Sequence, residues 1–173
     1  MKRLLLIGIF LLAAWTATAQ DALLERLRAA NTFETLQLSF VQTRHSQYLT
    51  EDLVSEGTMA LLAPDHLRWE VLKPYHSVFV TQGEIPVQGR RFRIPTEKDF
   101  SATALEGEDV TVKLVPLRRD LKQFFREIIV HADRKSLRIT SALLVTPDGD
   151  WTRLEFRNVR TGQPIDPKLF EKQ

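Results

Sequence analysis

Polar and apolar residues alternate with period two over most of this chain, and that pattern constrains the fold more than any other feature. In His66–Val71, HLRWEV, the side chains of Leu67, Trp69 and Val71 point one way and those of His66, Arg68 and Glu70 the other. This is the pattern of a strand with one dry and one wet face. The segment from Phe33 onward behaves the same way: Leu36, Leu38 and Phe40 share one face, and Gln37, Ser39 and Val41 the other. Residues 54–62, 67–72, 77–81, 110–115, 124–131, 137–145 and 151–159 also read as strands. Turn formers stand between them, namely Ala63-Pro64-Asp65, Lys73-Pro74, Asp133-Arg134-Lys135, Pro147-Asp148-Gly149 and Thr161-Gly162. Spacers this short join antiparallel neighbours as hairpins. One curved antiparallel sheet is the economical architecture.

Two segments break the alternation. In DALLERLRAAN, Leu23, Leu24, Leu27 and Ala30 recur at helical spacing, with Asp21 as N-cap and Asn31 as stop. From Gly83 to Gly107 there is no sustained period; Pro86, Pro95 and the basic residues Arg90, Arg91 and Arg93 mark a loop, with one short helix expected near 96–104 and a lid as its candidate role. Ahead of both lies MKRLLLIGIFLLAAWTATAQ. Its Lys2 and Arg3, the apolar run from Leu4 to Trp15, and Ala17 and Ala19 form the pattern of a secretory signal peptide over residues 1–19, cut before Gln20. An apolar run of about 12 residues is short of the roughly 20 that span a bilayer.

Removing that leader leaves a single expected domain, residues 20–173, long enough to bury a core. The 24 Lys and Arg fall to 22 without Lys2 and Arg3 and then match the 22 Asp and Glu, so no positive surface calls for nucleic acid. With no cysteine, an exported domain is held by packing and carries no lipid at its N-terminus; a soluble product is expected. A monomer is the default expectation.

Catalytic signatures are weak. His45, His66, His76 and His131 lack the spacing of metal ligands, no Gly-x-Ser-x-Gly elbow occurs, and Asp148-Gly149-Asp150 fits a hairpin turn better than a calcium loop. The expectation is a protein that is not an enzyme and uses no cofactor or metal. What remains is apolar surface. A sheet with one dry face needs a cover, and one helix of about three turns covers little of it. The uncovered part leaves a hollow suited to apolar ligands.

The order Phe40-Val41-Gln42, Gly57, Pro64, Leu67-Arg68-Trp69, Pro74 and Gly83 resembles the N-terminal half of the periplasmic outer-membrane lipoprotein carriers, the LolA family. VKLVPL (112–117), LKQFF, the strand 137–145, WTRLEFRNV, Ile165-Asp166-Pro167 and Phe170 resemble the second half. The resemblance spans nearly all the chain after the leader except 83–107. It implies a mainly β fold with few helices: a curved antiparallel sheet forming a half-open β-barrel with a helical lid over a hydrophobic cavity. It further implies a periplasmic carrier that takes the acyl chains of lipoproteins from an inner-membrane ABC transporter and passes them to an outer-membrane acceptor. The missing cysteine favours carrier over the lipidated acceptors. Leu36, Leu38, Phe40, Leu67, Trp69, Val71, Val78, Val80, Leu154 and Phe156 are the expected cavity residues. The chain departs from the family pattern in a shorter central segment and in Ala63, which stands where carriers place an arginine before the proline. A free glycolipid or another envelope amphiphile is the alternative cargo.

Overall fold

The computed structural model describes residues 20–82, 84–87, 90–93 and 97–171, without the side chains of 83–97. The expected signal peptide and the side chains of Arg90, Arg91 and Arg93 lie outside the described residues.

Nine strands form one antiparallel sheet in the order β4-β3-β2-β1-β11-β10-β9-β8-β7. Its first half is a meander of β1 (Thr35–His45), β2 (Leu53–Leu62), β3 (His66–Lys73) and β4 (Ser77–Gln82). The second half comprises β7 (Phe100–Glu106), β8 (Val110–Pro116), β9 (Glu127–Ala132), β10 (Ile139–Val145) and β11 (Trp151–Thr161). The two meanders join where β1 pairs with β11, setting Phe40 opposite Phe156 and Gln42 opposite Leu154. Because β4 and β7 remain edges, the curved sheet does not close into a barrel. A separate hairpin, β5 (Glu84–Val87) with β6 (Arg90–Arg93), lies between them in sequence.

Cross-strand partners project to the same side of a sheet, so the register defines its two faces. Trp69 opposes Met59 and Phe79, and Met59 opposes Leu38. Following the pairs across β11 gives Leu154 opposite Ala142, then Ala142 opposite Val130, Val130 opposite Val112, and Val112 opposite Ala104. One apolar face therefore runs unbroken from β4 to β7.

Helix α1, helical over 20–30, lies on this inner face at the β7–β9 side. Leu23 and Leu27 form its buried stripe and pack with Ala104, Val110, Val112, Ala132 and Leu137. Asn31 ends the helix by side-chain bonds: Nδ2 donates to Leu27 O at 2.8 Å and to Leu137 O at 2.7 Å, while Oδ1 accepts from Ile139 N at 3.1 Å. One amide thus serves as helix stop and as clamp onto the start of β10. The expected N-cap at Asp21 is corrected, because the backbone is already helical at residue 20.

Other corrections concern boundaries and the central segment. The strand expected at 124–131 begins at Glu127, since Phe124 and Phe125 donate their N–H groups to Leu121 O and complete a turn begun by the 3-10 segment Leu121–Gln123. The strand expected from Leu137 starts at Ile139; Leu137 has φ +57° and drops into the α1 core. The loop and helix expected within 83–107 are replaced by β5, β6, one 3-10 turn at Glu97–Asp99, and the edge strand β7. In β7 the inner positions are Phe100, Ala102 and Ala104; two alanines under a helix give almost no hydrophobic contrast against Ser101 and Thr103. Among the described residues α1 is the one α-helix, so the only helical cover lies at the N-terminus and none comes from 97–107.

Candidate functional site

Gly57 explains how the inner face is built. A side chain there would overlap the carbonyl oxygen of Glu70 and lie 2.5 Å from Cζ and 2.9 Å from Cε1 of Phe40. The Phe40 ring therefore lies flat across the bare glycine and stacks on Trp69, with centroids 4.0 Å apart and planes inclined by 26°. Phe40 is almost fully buried as a result, whereas Trp69 is half-buried. The tryptophan on the oily face of β3 thus leans on a phenylalanine two strands away.

Burial divides the inner face in two. Beneath α1, Ala104, Val110, Val112 and Ala132 are shut off from solvent. Away from α1, Leu36, Met59, Leu61, Leu67, Trp69, Val71, Phe79, Ala142, Leu144, Leu154 and Phe156 are all only half-buried. Aliphatic and aromatic side chains in this state leave apolar area in water, at roughly 25 cal/mol per Å². The uncovered stretch is the candidate site, and its chemistry is that of apolar contact.

Eight of the ten expected cavity residues lie on this face: Leu36, Leu38, Phe40, Leu67, Trp69, Val71, Leu154 and Phe156. Val78 and Val80 do not. Val78 opposes Glu70 and Val80 opposes Arg68, so both project from the outer face, and Phe79 with Thr81 takes their place inside. The run Val78-Phe79-Val80 is apolar at every position and carries no period; only pairing with β3 fixes which residues turn inward. Met59, Leu61, Ala142 and Leu144 were missed, although Met59 and Leu61 alternate with Ala60 and Leu62 and their pairing partners identify them.

Around Arg68 the outer face is polar and internally paired. Arg68 Nε and Nη2 donate to Glu70 Oε2 at 3.2 and 3.0 Å, and Nη1 donates to Leu169 O at 3.2 Å. The hydrogen bond from His76, followed by those from Arg68, holds the Glu70 carboxyl below the ordinary glutamate value. The 3-10 turn Pro167–Phe170, capped by Asp166 accepting from Lys168 N, docks here with Phe170 buried edge-on to His66. Beside it lies a groove of about 410 Å³, lined by Gln37, Ser39, Thr58, Arg68, Asn158 and Arg160 among others. Among the described residues no three His, Asp or Glu side chains are grouped as metal ligands would be. No described helix is long and apolar enough to cross a membrane.

Comparison with known proteins agrees with this architecture. The family described as "Outer membrane lipoprotein carrier protein LolA" matches residues 31–88. An outer-membrane lipoprotein carrier protein of Methylococcus capsulatus (strain Bath) is 26% identical over 162 residues, covering 79% of this chain and 76% of that protein. Among solved structures, a LolA superfamily protein from Nitrosomonas europaea superposes with TM-score 0.50 at 8% identity, over 88% of this chain and 97% of that one. MucB in the Pseudomonas aeruginosa MucA/MucB complex gives TM-score 0.53 at 16% identity, over 88% of this chain and 60% of MucB. In sequence the chain is similar to a carrier over most of its length, and it shares the fold of both structures.

Proposed function

Starting from this likeness to the LolA carriers, we propose that the protein is a periplasmic carrier that holds the acyl chains of lipoproteins against its inner face and shuttles them from the inner to the outer membrane. The observation that carries the reading is the half-buried apolar stretch from β4 through β10, on the same face that α1 seals at the other side. Each methylene withdrawn from water contributes about 0.8 kcal/mol, so one chain of roughly 14 carbons gains about 11 kcal/mol before ordering costs. A carrier releases its load, and half-covered side chains serve that end: they gain from the ligand without enclosing it. No covalent step is required. The inner-membrane ABC transporter and outer-membrane acceptor belong to the same proposal, as the partners such a carrier exchanges cargo with.

The test has two parts. Protein recovered from envelope extract is analysed by mass spectrometry for bound acylated polypeptide. A fluorescent fatty acid is then titrated into wild type and into Trp69→Glu. Acylated polypeptide in the wild type, with at least tenfold weaker probe binding in a variant of unchanged far-UV circular dichroism, is the expected result. Free glycolipid as the recovered species would transfer the reading to an amphiphile carrier; undiminished probe binding by Trp69→Glu would refute the assigned face.

A further inference from the structure

The two ends of the half-barrel differ in character. Val110 opposite Ala132 marks the end where Leu23 and Leu27 of α1 pack. The opposite end carries the β1–β2 and β3–β4 hairpins, the β10–β11 turn and the β8–β9 connection, as shown by the pairs His45–Trp151, Arg44–Leu53, Val71–Ser77 and Val145–Trp151. Gln47 N–H donates to Asp150 Oδ1 at 3.0 Å and ties two of these loops together. Of eleven large apolar side chains exposed among the described residues, six sit on this rim, a concentration of apolar surface at one end of the sheet. Tyr48 and Tyr75, each 84% exposed, crown adjacent hairpins with Leu49, Leu53 and Leu72, and Leu117 follows β8 at the same end of the sheet.

The charges on the rim are arranged asymmetrically. Of its acidic groups, Asp52 is bonded to His45, Asp120 to Arg118, Asp148 to Thr146, and Asp150 to Gln47 N, while Glu51 stands exposed in the β1–β2 hairpin. The connection LRRDLKQFFR, 117–126, holds four basic residues and one acidic. Within it Arg119 and Lys122 are exposed and have no carboxylate partner among the described residues. Exposed tyrosines, aliphatic side chains and unneutralised cations together match the boundary of an anionic bilayer, where tyrosine sits at headgroup depth and Lys or Arg meets phosphate.

We propose that this rim is a membrane-docking surface for anionic phospholipid, which sets the end of the half-barrel opposite α1 against the bilayer, beside the membrane partners with which the carrier exchanges cargo. The exchange of cargo rests on the carrier reading; the docking itself does not. The full chain, signal removed, is floated with vesicles of phosphatidylethanolamine and phosphatidylglycerol, and with vesicles of phosphatidylcholine alone. The variants are Tyr48→Ser/Tyr75→Ser and Arg119→Gln/Lys122→Gln, and the fluorescent fatty acid is titrated in parallel.

The expected result is flotation with the anionic vesicles that weakens with added salt, is poorer with phosphatidylcholine, and falls about tenfold or more in the tyrosine double variant while fatty-acid binding is unchanged. Wild type that does not float, or a tyrosine variant that floats as well as wild type, overturns the proposal. Absence of flotation combined with impaired cargo exchange in the tyrosine variant would overturn it in favour of a protein partner at the rim. A chain that floats but binds no fatty acid upholds the docking surface and removes the carrier reading, so the two fail separately.

Discussion

Gly57→Ala is the sharpest probe of the architecture. The new methyl group would overlap the Glu70 carbonyl, which belongs to the sheet backbone, and lie 2.5 Å from the Phe40 ring. The carbonyl cannot yield without parting β2 from β3, and the ring cannot yield without leaving Trp69. Overpacking costs about 1–3 kcal/mol and a displaced aromatic stack about 0.5–1.5 kcal/mol more, giving roughly 2–4 kcal/mol in all. For a domain of this size each kcal/mol moves Tm by about 2–4 °C, so Gly57→Ala should melt some 5–15 °C below wild type.

Urea denaturation followed by tryptophan emission in a Trp151→Phe background supplies the assay, since Trp69 then reports on the stack directly. Gly149→Ala is the control: at φ +98° with no atom within 4 Å, it meets backbone strain alone, about 1–2 kcal/mol. In a double-mutant cycle, Phe40→Leu should relieve part of the Gly57→Ala cost, with a coupling of about 0.5 kcal/mol or more, because the smaller side chain vacates the space the methyl needs. A Gly57→Ala protein within about 1 kcal/mol of wild type, or strict additivity in the cycle, would refute the close approach of Phe40 to the glycine.

Other expectations follow from the same geometry. Asn31→Ala removes both the helix stop and the clamp to β10, and should cost about 1–3 kcal/mol and speed amide exchange in α1 ahead of the rest of the chain. Phe170→Ala empties the contact with His66 on the outer face and should cost about 3 kcal/mol by urea denaturation without altering fatty-acid binding. Acid should unfold the protein progressively. Glu70 is held below its ordinary value of 4.5 first by His76, Glu127 first by Lys113, and Asp133 below 3.8 first by the Ser136 N–H. Carboxyls depressed in the folded state stabilise it fully above those ordinary values and lose the contribution as pH falls through the folded ones. Midpoints in urea should therefore hold from neutral pH to about 5 and then decline; a midpoint that rises on acidification would contradict the assignments.

Much of this fold is legible residue by residue. Leu36, Leu38 and Phe40, Leu67, Trp69 and Val71, and Leu154 with Phe156 announce their strands and their shared side by strict alternation against polar neighbours. Leu23 and Leu27 announce a helix by their spacing. Where contrast vanishes, so does the signal: Ala102 and Ala104 of β7 are too small to stand out, and Val78-Phe79-Val80 is apolar on both sides.

Sequence by itself determined the period of the backbone, the helix, the turns and an excess of apolar surface over what one helix can cover, because these depend on neighbours a few residues apart. Tertiary structure alone decided that β1 meets β11, that Phe40 crosses Gly57 to reach Trp69, that Phe79 turns inward, and that Tyr48, Tyr75 and Leu117 gather at one end. Those outcomes depend on register between strands up to more than a hundred residues apart, and a local pattern holds no record of which distant partner will lie across from it.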